Sequence, residues 1–235
     1  MASRAQLKPQ AAEAKVFLVD DHPIVRQGLA LLIDREADLA VCGEADGGFG
    51  VLQSISELRP DIVVLDISLN GPDGLDILKT IRGREPELPV LVLSMHDELT
   101  YAERALRAGA NGYIMKQEAT EKVLVAIRRI LRGEMYLSDR LTNRMLQQFV
   151  RGSAPSTESP LSNLSDRELE VFRLIGEGHA TRRIADELHI SIKTVESYQA
   201  HIKEKLSLRS ARELVQHAIE WYVTGKRDGG DLSAQ

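Results

Sequence analysis

Five short apolar runs, at 15–20, 39–44, 61–66, 88–94 and 112–115, are each followed by a stretch in which apolar residues recur every three or four positions. Those stretches lie at 23–35, 47–58, 74–83, 97–108 and 118–131. Runs of this kind predict strands buried on both faces, and the helical recurrence predicts crossover helices with one apolar side. Pro23 suits a first helical turn, and Ile24, Leu29, Leu31, Leu32 and Ile33 are expected to form the apolar face of the first helix. Gly47, Gly48 and Gly50 weaken the start of the second. Strands alternating with helices imply a doubly wound, flavodoxin-like five-stranded parallel α/β sheet with right-handed connections.

After Gly133 the alternation ends. Residues 139–150 predict one amphipathic helix, with Leu141, Met145, Leu146 and Phe149 on one side, and 151–163 (RGSAPSTESPLSN) is a Ser/Pro/Gly-rich linker with little to bury. Four helices then form a second, all-α domain. Ser165 opens the first with Glu168 three residues on, the signature of a capping box, and Leu169, Phe172 and Ile175 face inward. A helix at 181–188, a turn around 189–191 and a helix from Ser191 to about 206 make a helix-turn-helix. The last helix, 210–222, places Ala211, Leu214, Val215, Ala218, Ile219 and Tyr222 on one stripe. The expected division is 15–132, a linker at 133–163, and 161–222.

Composition changes this picture little. A chain of 235 residues, 43% of them hydrophobic, can bury two ordinary cores. One cysteine excludes an internal disulfide and fits a reducing compartment. With no run long enough to span a membrane and no apolar secretory segment at the start, a cytoplasmic protein is expected. The net charge is −5, yet residues 179–212 hold seven Lys or Arg against four acids. That local excess permits contact with phosphates without arguing for it.

The chemistry gathers at strand ends. Asp20, Asp21 and Asp66 each close or follow an apolar run, and the third run stops at Asp66 before the turn residues Asn70, Gly71, Pro72 and Gly74. In open α/β sheets that edge binds ligands. Three carboxylates there repel one another unless a cation intervenes, and oxygen ligands imply a hard divalent ion, Mg²⁺. Ser94 ends the fourth strand and Lys116 follows the fifth. A hydroxyl and an ammonium beside a metal-bound carboxylate suit a phosphoryl group, with Asp66 as nucleophile. An acidic pair alone is usually a turn or cap. Its joint occurrence with Ser94 and Lys116 is what points to a site.

Residues 15 to about 132 resemble the receiver domain of bacterial two-component response regulators, through Asp20, Asp21, Asp66, Ser94, Tyr113 and Lys116 in order. Residues 161–222 resemble the LuxR-type DNA-binding domain, through 164–172 (LSDRELEVF), Ile184-Ala185, 190–195 (ISIKTV) and 205–210 (KLSLRS). Together they resemble the NarL/FixJ class. The resemblance implies that Asp66 accepts a phosphoryl group from a sensor histidine kinase. It implies that Asp21, Asp66 and the Ser68 carbonyl bind Mg²⁺, with Asp20 helping through water, and that Ser94 and Tyr113 form a switch pair in which Tyr113 turns inward. Two positions depart from the family pattern: Gln117 follows the lysine where proline is common, and Asn70 stands where proline often precedes Gly71.

For the second domain the resemblance implies a recognition helix in the major groove. Lys193, Thr194, Lys203 and Lys205 are the phosphate candidates, and Glu196, Ser197, Ala200 and His201 the candidates for facing bases. The final helix resembles a dimerisation helix, with Leu214, Val215 and Ala218 as its contacts, and a homodimer would read an inverted repeat of double-stranded DNA. The expected function is therefore a DNA-binding transcriptional regulator, not an enzyme beyond slow self-phosphorylation and self-dephosphorylation. Two alternatives are weighed. A phosphorylation-independent factor would use its receiver only to dimerise. An aspartyl phosphatase usually carries a second Asp two residues after the nucleophile, where this chain has Ser68.

Overall fold

The computed structural model describes residues 13–48, 50–69, 74–95, 98–150, 160–188 and 190–229. The turn positions Asn70, Gly71 and Pro72, and the centre of the linker, lie outside these residues. The chain divides into two compact units, Met1–Gln147 and Gln148–Gln235.

In the first unit the strands are β1 (Ala14–Val19), β2 (Leu39–Ala45), β3 (Ile62–Asp66), β4 (Val90–Ser94) and β5 (Gly112–Met115). They form one parallel sheet in the order β2-β1-β3-β4-β5. The crossovers are α1 (Pro23–Ile33), α2 (Val51–Leu58), α3 (Gly74–Arg84), α4 (Glu98–Arg107) and α5 (Ala119–Leu131). Every residue of β3 and β4 is buried, as expected of strands with helices on both sides. Side chains alternate between the faces. Val16, Leu18, Ile62, Val64, Leu91, Leu93 and Ile114 pack on α1 and α5, and the residues between them turn to the face that α2, α3 and α4 cover.

The apolar side of α1 differs from the expectation. Leu29 and Ile33, one turn apart, are buried, but Ile24 is 85% exposed and Leu31 66%. Positions seven apart share one side of a helix, so Ile24 and Leu31 together face solvent. The glycines delay α2 to Val51, where Gly50 precedes it with φ 78°. A side chain at Gly50 would meet that left-handed backbone with strain.

Beyond α5 the chain folds back along the sheet edge. The Tyr113 N–H donates to the Tyr136 carbonyl at 3.1 Å, and the Tyr136 N–H to that of Asn111 at 3.0 Å. Helix α6 (Asp139–Val150) follows, and the Ser138 hydroxyl donates to the buried Glu98 carboxylate at 2.7 Å while accepting from the Leu141 N–H. Leu141 is buried, worth roughly 2 kcal/mol. Met145 and Leu146, expected beside it, are 37% and 57% exposed, and the side chain of Phe149 lies outside the described residues. Helix α6 is therefore fastened at its first turn.

The second unit contains α7 (Asp166–Gly176), α8 (Thr181–Glu187), α9 (Ile192–Lys205) and α10 (Ala211–Gly229). The capping box is formed: Ser165 Oγ accepts from the Glu168 N–H and Glu168 Oε2 accepts from the Ser165 N–H. Leu169, Phe172, Ile175, Ile184, Val195, Ile202, Leu214 and Ala218 fill the core. The rings of Phe172 and Trp221 pack with centroids 5.7 Å apart. The stripe on α10 splits. Leu214 and Ala218 turn inward, whereas Val215 and Ile219 are 44% and 43% exposed.

Candidate functional site

The sheet order places β1 beside β3, with Val19 opposite Leu65, so Asp20 and Asp66 leave neighbouring strands at the same edge. Ser94 pairs with Met115 at the ends of β4 and β5, and Lys116 comes next. One edge thus collects Asp20, Asp21, Asp66, Ser94 and Lys116. Asp20, Asp66 and Ser94 are buried.

Lys116 Nζ lies 2.7 Å from Asp66 Oδ2 and 2.7 Å from Asp20 Oδ2. The other oxygen of Asp66, Oδ1, accepts from the Ser68 N–H at 2.8 Å. Burial pushes the Asp66 carboxyl up to about 6, against the pull of Lys116 and with the repulsion of Asp20 adding to it. Asp20 is held by its surroundings: its Oδ1 accepts from the His22 N–H at 2.8 Å, and its carbonyl accepts from Arg26, which also pairs with Glu44.

Asp20, Asp21, His22 and Asp66 each offer a ligand atom, all within 4.8 Å of one another. Three of the four are carboxylate oxygens, the donors that a hard divalent cation takes. The pocket is compatible with Mg²⁺. Ser68 contributes its N–H to Asp66, and the ligand role of its carbonyl rests on the resemblance. Tyr113, which by the resemblance turns inward, is 2% exposed and lies inside.

In the second unit the expected DNA-facing residues separate. Lys193, Glu196, Ser197 and Ala200 are exposed along one side of α9, at helical spacing. His201 is exposed, 3.8 Å from the Glu168 carboxylate. Lys205 Nζ is 2.7 Å from Glu168 Oε2, so its charge neutralises a buried acid of α7, and Lys203 is half-buried. The Thr194 hydroxyl lies 2.7 Å from that of Ser191, the N-cap of α9, which accepts from the Thr194 N–H.

Of the dimer candidates, Leu214 and Ala218 are spent in the domain's own core, 2% and 0% exposed. Only Val215 remains available. It lines a shallow apolar groove with Ala211, Arg212, Gln216, Ile219 and Glu220.

Three features were missed from sequence. His22 joins the acidic pocket; the signal was its place next to Asp20-Asp21. Arg182 and Arg183, exposed in the first turn of α8, were counted as charge but not as candidates. Thr181 beside them accepts from Gln199 of α9 at 3.3 Å, which ties that turn to the exposed helix. Glu98 is a buried acid whose partner, Ser138, is forty residues away, and no local pattern signals it.

Residues 16–128 match the family described as response regulator receiver domain, and 162–218 the family described as bacterial regulatory proteins, luxR family. The oxygen regulatory protein NreC of Staphylococcus aureus is 37% identical over 88% of this chain and 97% of its own length. A two-component response regulator of the LuxR family from Aurantimonas sp. is 35% identical, with TM-score 0.55 over 59% of this chain and 99% of its own. The RcsB of Salmonella enterica serovar Typhimurium, solved bound to promoter rprA with the phosphomimetic BeF3⁻, is 26% identical, with TM-score 0.54 over 88% of this chain and 98% of its own.

Proposed function

This chain belongs to the NarL/FixJ class of two-component response regulators, DNA-binding transcriptional regulators with a receiver and a LuxR-type domain, and from that premise we propose that Asp66 is its phosphoacceptor. The observation that carries the reading is the meeting of Asp66 with Lys116 and the acidic pair at one sheet edge. A sensor histidine kinase supplies the phosphoryl group as a phosphohistidine. An Asp66 oxygen forms the new bond to phosphorus while the phosphorus–nitrogen bond breaks, and the departing imidazole keeps the electron pair and takes a proton from solvent. Water later cleaves the acyl phosphate, returning the carboxylate and inorganic phosphate. In this reading turnover stays slow, since Ser68 stands where an aspartyl phosphatase usually carries its acid.

Asp21, Asp66 and the Ser68 carbonyl would hold Mg²⁺, with Asp20 acting through water. When bound, the ion neutralises charge on the transferring phosphoryl oxygens. Lys116 supplies a second positive charge and exchanges its present contact with Asp66 Oδ2 for a phosphoryl oxygen. Ser94 donates to a second oxygen. Tyr113, buried on β5, keeps the surface of α4 and β5 in one of two arrangements whose balance phosphorylation shifts.

The output is a homodimer on an inverted repeat. Residues Lys193, Glu196, Ser197 and Ala200 of α9 enter the major groove, and Arg182 and Arg183 join Lys193 as phosphate contacts. The RcsB structure on promoter DNA supports this mode of action. Incubation of the full chain with acetyl phosphate and Mg²⁺ is expected to add one phosphoryl group by intact-mass spectrometry. Asp66→Asn is expected to add none; equal labelling of the variant overturns the assignment.

A further inference from the structure

Most polar side chains along the exposed side of α9 are already engaged within their own domain. The Ser197 hydroxyl donates to the Lys193 carbonyl at 3.0 Å, the Thr194 hydroxyl meets that of Ser191 at 2.7 Å, and Gln199 donates to Thr181 of α8 at 3.3 Å. Further along, His201 and Lys205 both approach the Glu168 carboxylate. The two charged residues in the first half of α9 are different. Lys193 and Glu196 are exposed, and among the described residues the side chain of neither has a hydrogen bond or an ion pair. Ser197 and Ala200, which share that side with Glu196, are small, so they leave room for a surface laid along the helix to come close to its carboxylate.

An ionised carboxylate offers acceptor oxygens and no donor. In the major groove guanine presents acceptors at N7 and O6, thymine an acceptor O4 beside its methyl group, and adenine an acceptor N7 next to its amino group. Cytosine presents an amino donor and has no major-groove acceptor of its own. A carboxylate carried into the groove is repelled by the phosphates on both sides and by every acceptor it meets. The cytosine amino group is the partner that offsets this without setting an acceptor of the same base against it.

We infer that Glu196 is a specificity-determining residue for the DNA sequence: its carboxylate accepts from the 4-amino group of a cytosine, so that each half-site requires a C·G pair at that position. The inference rests on the reading that α9 enters the major groove, and it goes further by naming the base. The same charge acts against wrong sequences, since guanine or thymine there would set an acceptor oxygen against the carboxylate. Lys193, one turn earlier, supplies attraction to phosphate that is blind to sequence.

The test begins with selection of sites from random double-stranded DNA by the full chain treated with acetyl phosphate and Mg²⁺. Each C·G pair of the selected half-site is then replaced in turn by T·A, and the parent and Glu196→Ala are titrated on every DNA at one salt concentration. The expected result is that one replacement costs the parent about tenfold in affinity and costs Glu196→Ala no more than about twofold. Every other replacement should cost the two proteins the same. Equal losses at every replaced pair overturn the inference while DNA recognition by α9 stands, and so does a selected half-site with no fixed C·G pair. If Glu196→Ala tightens binding to all sequences alike and selects the parent's site, the carboxylate acts only through its charge and the inference also falls. Failure of the parent to select any sequence would remove the reading and the inference together. Because Glu196 is exposed and alanine favours a helix, the variant is expected to keep the parent's melting temperature, which separates altered selectivity from lost fold.

Discussion

Asp66 is buried with another carboxylate and one ammonium, and the balance costs the folded protein stability. Its carboxyl is raised from 3.8 to about 6, mainly by burial. A carboxyl whose folded value lies above its unfolded value binds its proton more tightly when folded. Its contribution is therefore most favourable below pH 4 and is lost as pH rises through about 6. At neutral pH the loss is on the order of 3 kcal/mol. In the presence of a chelator, Asp66→Asn is thus expected to raise the melting temperature of the first unit at pH 7.5. Lys116 keeps Asp20 as a partner at 2.7 Å, so the substitution strands no buried cation. The gain should shrink below pH 6 and vanish near pH 4. Melting curves across that range check it, and a variant no more stable than the parent at pH 7.5 would show that Lys116 already offsets the burial. A carboxylate kept at such a cost is consistent with a group retained for chemistry.

At the scale of elements, the close approach of α3 to the loop after β3 makes a sharp prediction. A Cβ on Gly74 would lie 2.3 Å from the Ile67 Cα and 2.7 Å from its carbonyl oxygen, and neither backbone atom can move without shifting the residues beside Asp66. Gly74→Ala is expected to destabilise the first unit by roughly 1 to 3 kcal/mol and to slow labelling of Asp66 by acetyl phosphate. Unchanged melting and labelling would mean that α3 slides outward at little cost. In α7, Glu168→Ala removes half of the capping box and the partner of Lys205 together. Hydrogen exchange of the first-turn amides should rise in line with a loss of about 1 kcal/mol. The capping box was legible because Ser165 and Glu168 are three residues apart, and the strands were legible because buried parallel strands are written as continuous apolar runs. The side that α1 turns to solvent was not legible. Ile24 and Leu31 have the residue type of a core and are placed outside by how α1 lies on the sheet, which local spacing does not encode. The same holds for α10, where packing on α7 decides which half of a broad apolar stripe is used. A backbone approach sets that packing: a Cβ on Gly176 would meet the Ala218 carbonyl oxygen at 2.5 Å. The pocket was legible as a set of strand ends, and the contribution of His22 became visible only once the turn after β1 had a shape.

For the whole molecule the question is how one phosphoryl group becomes promoter occupancy, and α10 supplies the part that can be measured. Its outward residues Val215, Ile219 and Val223 are 44%, 43% and 43% exposed, four residues apart, so they form a narrow apolar strip on one side of the helix. A twofold pairing of two such strips would bury only a few half-exposed side chains, each worth about 1 kcal/mol. That is too little to hold a dimer free in dilute solution, but enough to matter when DNA already holds two copies side by side. Dimerisation through α10 should therefore appear as cooperativity on DNA rather than as a stable dimer of the free protein. The expected effect of Val215→Glu follows from this. A charge on an exposed position leaves the core of Leu214 and Ala218 intact, so melting and binding to a single half-site should match the parent. Binding to an inverted repeat, selected from random DNA with the phosphorylated full chain, should lose its cooperativity and about tenfold in affinity. Titrations of one-site and two-site DNA at a fixed salt concentration distinguish these terms, because phosphate contacts dominate total affinity and vary with salt. If Val215→Glu binds the repeat as cooperatively as the parent, then α10 does not join the two copies, and the coupling must be made elsewhere in the chain.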